Sequence, residues 1–312
     1  KRIEEPLKKF GVKIKLTNKG LPLTIQGIKN PQPINYIENK GSAQCKSSVI
    51  FAGLKSSGKT IIKAKKSRNH TELLCKYLKL PLKVKKKKKY DLIEIKKAKK
   101  IKPLNYKIPS DISSGAFFIV LTALLNNSKI LIKNVNINPT RIGTITILKK
   151  MGVNIQFKSK KNYKGELISD ILVASSKKLK AINCPSKLNS GAIDEFLIIF
   201  LVAAKANGTS YFKDISELNQ KESPRLKWGA KILNKMGIKT IVTDSSIKIF
   251  GNPNLKINKK IIIKDYLKDH RVFMTSIIAA LAFGGTWDIH DKDSINTSFP
   301  KFLDIINNLT KQ

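Results

Sequence analysis

This 312-residue chain is poor in arginine, cysteine, histidine, aromatic residues and acid. Each shortage excludes something. The three cysteines, Cys45, Cys75 and Cys184, form no Cys-x-x-Cys pair and show no metal-ligand spacing, so free thiols in a reducing cytosol are expected. The three histidines are scattered, which argues against a zinc site, and no metal is expected. Aromatic residues make up 7% and do not interleave with the basic runs, which weakens any stacking platform for single strands. The longest apolar stretch, Ala116 to Leu125, is too short to cross a bilayer, and no secretory signal is visible. No membrane partner and a cytoplasmic location are therefore expected. Acid is the deepest deficit: 21 Asp and Glu stand against 61 Lys and Arg, a formal charge of +40. Such a charge ordinarily points to nucleic acid. Here the lysines run along the whole chain together with an excess of Ile and Asn. That is a drift in residue usage rather than a basic patch, and nucleic acid is not expected as the main partner.

Within so much lysine, arginine is informative. The chain has Arg2, Arg68, Arg141, Arg225 and Arg271. Lys serves wherever a solvated point charge is enough, whereas the planar Arg fork grips carboxylate or phosphate with two parallel hydrogen bonds. Four of these residues sit in compact polar strings: Ser67-Arg68-Asn69-His70-Thr71-Glu72, Asn138-Pro139-Thr140-Arg141, Lys221-Glu222-Ser223-Pro224-Arg225 and Asp269-His270-Arg271. The pattern fits a site for small anions; structural salt bridges are the alternative.

A long internal repeat organises the chain. An apolar helical run, a small turn and a β-branched strand recur four times. The helical runs are Cys45–Leu54, Gly115–Leu125, Asp194–Ala206 and Arg271–Phe283. The strands are Lys59–Ala64, Lys129–Val135, Thr209–Ile215 and Thr286–Asp291. Amphipathic helices come next at Ile142–Met151 and Leu226–Met236, and residues 8–11 read as the tail of an earlier copy. Each ends at a glycine suited to a helix C-cap, Gly11, Gly152 or Gly237, and each leads into a strand: Val12–Leu16, Val153–Phe157 and Ile238–Val242. These α-β-α-β-β modules predict an α/β (α+β) fold of repeated units. Lys83–Lys102 predicts a solvated edge strand and hairpin. Pro103 and Pro109 flank a connection near residue 107, which divides the chain into domains 1–107 and 108–312.

The arginine strings occur in one order with Ser42-Ala43-Gln44-Cys45-Lys46-Ser47, residues 111–118, Ile193-Asp194-Glu195 and Ser298-Phe299-Pro300. Together they resemble the EPSP synthase (3-phosphoshikimate 1-carboxyvinyltransferase) family across essentially the whole chain. The resemblance implies a two-domain inside-out α/β barrel of βαβαββ units with the site in the interdomain cleft. It implies transfer of the enolpyruvyl group of phosphoenolpyruvate to the 5-hydroxyl of shikimate 3-phosphate, with release of phosphate. No metal or organic cofactor and a monomeric state are implied. Ser42, Ala43, Gln44 and Arg68 match positions that receive shikimate 3-phosphate. Gln44, Lys221, Arg225 and Arg271 match positions that hold phosphoenolpyruvate. Lys221 matches a lysine at the junction of the two substrates. Asp194 matches the base near the attacking hydroxyl, and Glu222 the group that protonates and deprotonates the methyl carbon. Glu195 reads as a helix cap, Asn138–Arg141 as mainly structural, and His70 and His270 as packing or supporting residues.

Two departures stand out. Pro224 occupies a position where the family usually has Asp, removing a carboxylate and an N–H. Residues 1–7 resemble the segment immediately after an Arg-Pro-Met string in the family, and the Lys-Ser…Arg and glycine-rich segments that come earlier are not in this sequence. The expectation is an N-terminally incomplete record, with little or no turnover by this chain alone and apolar surface uncovered on Val49–Leu54 and Leu73–Leu78. Three rivals remain open: a non-catalytic remnant, the sister enzyme that acts on UDP-N-acetylglucosamine with a catalytic cysteine, and a basic RNA-binding or RNA-end-processing protein of related fold.

Overall fold

The computed structural model describes residues 3–17 and 20–310; Arg2 lies outside them. The chain packs as two compact units. The first comprises Lys1–Ile108 with Asn162–Leu167, and the second Pro109–Lys161 with Ile168–Gln312.

The first unit opens with α1 (Glu4–Lys9), β1 (Lys13–Thr17) and β2 (Gly20–Gln26), the strands pairing antiparallel. One complete module comes after them: β3 (Asn35–Glu38), α2 (Ala43–Gly53), β4 (Thr60–Lys65), α3 (His70–Tyr77), β5 (Leu82–Lys86) and β6 (Tyr90–Ile95). Its sheet runs β3-β4-β6-β5, with β3 and β4 parallel and the other pairs antiparallel. The lysine-rich β5 stands at the edge, where its charges stay solvated and discourage further strand pairing. Phe10, Tyr36, Val49, Ile50, Leu54, Ile62, Cys75, Ile93 and Ile95 close into one core. The expectation of uncovered apolar surface on residues 49–54 is therefore corrected. Val49, Ile50 and Leu54 are buried against β4 and β6, and Phe51 alone of the large side chains there is exposed, at 55%.

The second unit repeats that module. Its elements are α4 (Ile112–Leu124), β7 (Lys129–Asn136), α5 (Gly143–Lys150), β8 (Asn154–Tyr163) and β9 (Glu166–Ala174); then α6 (Phe196–Lys205), β10 (Thr209–Phe212), α7 (Arg225–Lys235), β11 (Thr240–Val242) and β12 (Ile247–Phe250); then β13 (Lys260–Ile263), α8 (His270–Phe283), β14 (Thr286–Ile289) and α9 (Phe302–Thr310). The sheet orders β7-β9-β8 and β10-β12-β11 match the β4-β6-β5 order of the first unit. The leading strand of each module is full in β3 and β13. Elsewhere it shrinks to parallel bridges, Ser110 to Val135, and Lys180 and Asn183 to Asn207 and Tyr211.

Helices α4, α6 and α8 pack on one another at the centre of this unit. Their sequences dictate this. Phe196 through Ala204 of α6 are all buried, and α4 is buried along almost its whole length, so neither helix has a polar face to offer water. The amphipathic α5 and α7 bury one stripe only. Helices thus form the inside and the short sheets lie outside them, the inside-out arrangement. Gly11, Gly152 and Gly237 have φ of 96°, 89° and 89°, the left-handed turn that ends each helix and starts the next strand.

The structure also moves several predicted ends. The strands expected to reach Ile215 and Asp291 stop at Phe212 and Ile289, because Asp214 and Asp291 adopt φ of 59° and 56°, which breaks the extended backbone. The helix expected from Asp194 begins at Phe196, with Asp194 and Glu195 in the preceding turn.

The tip of the β8–β9 hairpin, unforeseen in sequence, belongs to the first unit. There Tyr163 packs on Tyr106 at 5.3 Å, and its hydroxyl accepts the Lys107 N–H at 3.0 Å. His70 Nδ1 lies 2.5 Å from Glu166 Oε1. No helix among the described residues is long and apolar enough to cross a membrane.

Candidate active site

Helix N-termini present free N–H groups and a positive dipole, which attract carboxylates, and the carboxylates in turn draw arginines in against the dipole. In the second unit Asp111 caps α4, accepting the N–H groups of Ser113 and Ser114, and Asp269 caps α8, accepting that of Arg271. Helices α6 and α7 have no side-chain cap. Pro224 stands at the cap of α7, and only its carbonyl takes part, accepting the Trp228 N–H at 3.0 Å.

Asp194 is the meeting point of the cations. Its Oδ1 lies 3.2 Å from Lys221 Nζ and 3.9 Å from Arg225 Nη1, and its Oδ2 lies 3.9 Å from Arg141 Nη1. Lys221 also reaches Glu217 at 3.0 Å. The Asp194 and Lys221 side chains are 18% and 20% exposed, so a ligand can touch both.

Beneath them lies a buried ion cluster. Asp269 Oδ2 accepts from Arg225 Nε and from Ser223 Oγ, both at 2.8 Å, and its Oδ1 accepts from Arg225 Nη2 at 3.2 Å. The same oxygen accepts the Arg271 N–H at 2.9 Å. Arg225 Nη2 also meets Glu222, whose side chain is 57% exposed. Arg225 is 2% exposed and Asp269 0%. One edge of the Arg225 fork is thus taken by Asp269. Burial alone would raise the Asp269 carboxyl, but the hydrogen bonds and charge of Arg225, with the Arg271 N–H and Ser223, outweigh it and hold the group below its ordinary value. Burial, then the positive charge of Arg271, pushes the His270 imidazole below its ordinary value.

Arg271 approaches from α8. Its Nη1 donates to the Asp194 carbonyl at 2.7 Å and to Glu195 Oε1 at 3.4 Å. Glu195 makes no cap bond, which corrects the reading of it as a helix cap; its Oε2 accepts from Thr144 Oγ1 at 3.0 Å. Arg141, expected to be mainly structural, does brace the α4 cap through Asp111 and Ser113 but also faces Asp194.

The first unit carries the other group. Ser42 caps α2, its Oγ accepting the Cys45 N–H at 3.3 Å, so Ala43 and Gln44 form the first turn. Gln44 is exposed, Ser42 and Arg68 partly so. Lys46, one turn on, is 1% exposed and ion-paired with Glu72 at 2.6 Å, and its Nζ donates to the Arg68 carbonyl at 2.8 Å. Ser47 bonds Thr71 at 2.6 Å. These contacts stitch the Arg68 loop to α2.

The structure therefore brings together Asp194, Lys221, Glu222, Arg225 and Arg271 in one unit, and Ser42, Ala43 and Gln44 with the Arg68 loop in the other. Sequence reasoning missed Asp269, Glu195 and Thr144 as framework, the approach of Arg141 to Asp194, and the Lys46–Glu72 pair. Asp269 was signalled by its place before an apolar helix; Lys46 carried no signal in a chain so rich in Lys. The Cys75 and Cys184 thiols are buried and pushed up to about 11, unsuited to nucleophilic work, and Cys45 is buried too.

A family model described as EPSP synthase (3-phosphoshikimate 1-carboxyvinyltransferase) matches residues 1–306. The 3-phosphoshikimate 1-carboxyvinyltransferase of Caldicellulosiruptor bescii is 38% identical over 315 residues, covering 100% of this chain and 72% of that protein. That of Bacillus subtilis (strain 168) is 34% identical over 315 residues, with 100% and 72% covered. Among solved structures, an EPSP synthase from Acinetobacter baumannii superposes with a TM-score of 0.87 at 34% identity, over 98% of this chain and 69% of that one. The enolpyruvyl transferase NikO from Streptomyces tendae, at 14% identity and a TM-score of 0.69 over 97% and 69% of the two chains, shares the fold. Matched by that model over residues 1–306 and by relatives along its whole length, the chain belongs to the EPSP synthase (3-phosphoshikimate 1-carboxyvinyltransferase) family.

Proposed function

We propose that the cluster around Asp194 acts on phosphoenolpyruvate and the reacting hydroxyl, and that the N-terminus of α2 receives shikimate 3-phosphate. The reaction is the family's enolpyruvyl transfer in the shikimate pathway, which leads to chorismate and aromatic amino acids. The observation that carries this reading is the Asp194–Lys221 contact at 3.2 Å between two side chains that are both partly open to solvent. Asp194 takes the proton of the 5-hydroxyl as its oxygen bonds C2 of phosphoenolpyruvate, and Glu222 gives a proton to C3, making a methyl group. The bond from C2 to the phosphate oxygen then breaks. Glu222 takes a methyl proton back as the double bond re-forms, and inorganic phosphate leaves. Lys221 touches both substrates and passes the hydroxyl proton from Asp194 to the departing phosphate. Arg271 and the open Nη1 of Arg225 hold the phosphoenolpyruvate anion and stabilise the charged intermediate. Gln44, in the first turn of α2, matches a family position that holds phosphoenolpyruvate. Ser42, Ala43 and Arg68 hold the shikimate phosphate at the helix N-terminus, where free N–H groups favour an anion. This reading makes the full-length protein a cytosolic monomer that needs no metal or organic cofactor.

The test is phosphate release from phosphoenolpyruvate by the full-length protein. Release is expected only with shikimate 3-phosphate present; equal release with UDP-N-acetylglucosamine rejects the assignment. Arg271→Lys and Arg225→Lys are each expected to raise the Michaelis constant for phosphoenolpyruvate, because a point charge cannot reproduce the fork. Loss of one charge-assisted bond costs about 1.5–3 kcal/mol.

Lys46→Met is expected to destabilise the protein by about 3–5 kcal/mol in urea unfolding, because Glu72 is left as a buried unpaired charge. It also loosens the Arg68 loop and weakens shikimate 3-phosphate binding. Adding Glu72→Gln restores most of the stability but not the binding; restoration of both would show that Lys46 does not seat the loop.

Acid is expected to weaken the fold in two windows. His270 has a lowered pKa, so the unfolded chain takes this proton first and stability falls as pH drops below 6.5. Asp269 is also lowered, so its stabilisation is present above 3.8 and is lost as pH falls further. His270→Gln is expected to flatten the first window and leave the second, read as urea midpoints across pH. An unchanged first window would assign it to other groups.

A further inference from the structure

The proposed chemistry leaves the buried carboxylate of Glu195 without a task. Glu195 has a side chain 1% exposed, at the junction of α6 with the two helices flanking it. Both of its oxygens are engaged and neither bonds the helix it precedes. Oε2 accepts from Thr144 in the first turn of α5, and Oε1 lies 3.4 Å from Nη1 of Arg271 on α8. Nη1 is held a second time by the Asp194 carbonyl at 2.7 Å. Among the described residues, no hydrogen bond or ion pair occupies Nε or Nη2 of Arg271, and the side chain is 14% exposed. The inner corner of the guanidinium is thus clamped and its outer edge remains open. A long, flexible Arg side chain gains binding strength when its fork is oriented before the anion arrives.

We infer that Glu195 is a positioning residue which, braced by Thr144, sets the plane of the Arg271 guanidinium so that its Nε–Nη2 edge grips phosphoenolpyruvate. This rests on the reading of Arg271 as a phosphoenolpyruvate ligand. A capping acid would need only a carboxylate near the α6 N–H groups, whereas the observed carboxylate points away to two other helices. Thr144 has 0% exposure, so its hydroxyl has no water to turn to and its bond to Glu195 is fixed. The α5 start that carries it is itself wedged: a Cβ on Gly143 would lie 2.7 Å from the backbone of Gly191 and of Leu188. The brace therefore has little room to move.

The experiment measures steady-state kinetics of the full-length protein carrying Glu195→Gln, Thr144→Val, Thr144→Ser or Arg271→Lys, each checked for folding by its urea midpoint. Glu195→Gln is expected to raise the Michaelis constant for phosphoenolpyruvate about tenfold, the size of one lost charge-assisted contact, and to leave that for shikimate 3-phosphate within about twofold. Thr144→Val is expected to shift it the same way by about threefold, and Thr144→Ser, which keeps the hydroxyl, to behave as the parent. If Glu195→Gln fails to fold, the Thr144 pair decides: a rise in Val that Ser does not share supports the brace, and equal values for the two overturn it. A rise for Arg271→Lys with none for Glu195→Gln or Thr144→Val overturns the inference and leaves the site reading standing. No change for Arg271→Lys removes the site reading itself. An equal rise for both substrates in Glu195→Gln would mark a general structural defect and also overturn the inference.

Discussion

A carboxylate with no access to water has to be satisfied by the protein, and Asp269 imposes that requirement on everything around it. Its two oxygens accept from the Arg225 guanidinium, the Ser223 hydroxyl and the backbone N–H of Arg271. Removing the Arg225 guanidinium would leave buried charge uncompensated, which is among the costlier defects a core can carry. The N-terminus of α8, the segment before α7 and the side chain that fills the space between them are therefore fixed together. Arg225 in turn brings its remaining nitrogen toward Asp194, and Asp194 brings in Lys221. The exposed chemistry is the outer layer of a structure whose inner layer is a single salt-bridged pair.

The repeat explains why so many of these groups meet. Each module sends an apolar helix through the middle of the unit, and the capping residues of α4 and α8 and the turn before α6 all carry acids: Asp111, Asp269, and Asp194 with Glu195. Arginines stand at the starts of the amphipathic helices, Arg141 before α5 and Arg225 at the first position of α7. Acid from one helix meets Arg from another because the modules share one topology. The asymmetry between copies is what differentiates their roles. Arg141 braces a cap that is over half exposed, whereas Arg225 is sealed against Asp269.

Periodicity and punctuation made the fold legible. The apolar runs of α4 and α6 could only be interior helices, and Gly11, Gly152 and Gly237 marked helix ends that the structure places at left-handed turns. The leading strand of each module went unread in the sequence, at β3 and β13 as well as where it is a bridge, since a segment of four residues or fewer has little pattern to read. In the site, scarcity was the guide: few arginines made each one conspicuous. The same logic hid Lys46, which is a core residue by burial but one lysine among many by sequence. Glu195 was hidden differently. An acid before a helix reads as a cap, and only side-chain direction shows that it serves α5 and α8 instead.

The hairpin between β8 and β9 bears on how the chain comes into being. Its tip, residues 162–167, belongs with the first unit although more than fifty residues of the second unit's sequence precede it. During synthesis the ribosome must therefore build α4, β7, α5 and most of β8 before Tyr163 and Glu166 exist to meet Tyr106 and His70. The N-terminal unit cannot finish folding before the next one has begun, so strict domain-by-domain maturation is closed to this chain, and its two units have overlapping folding schedules.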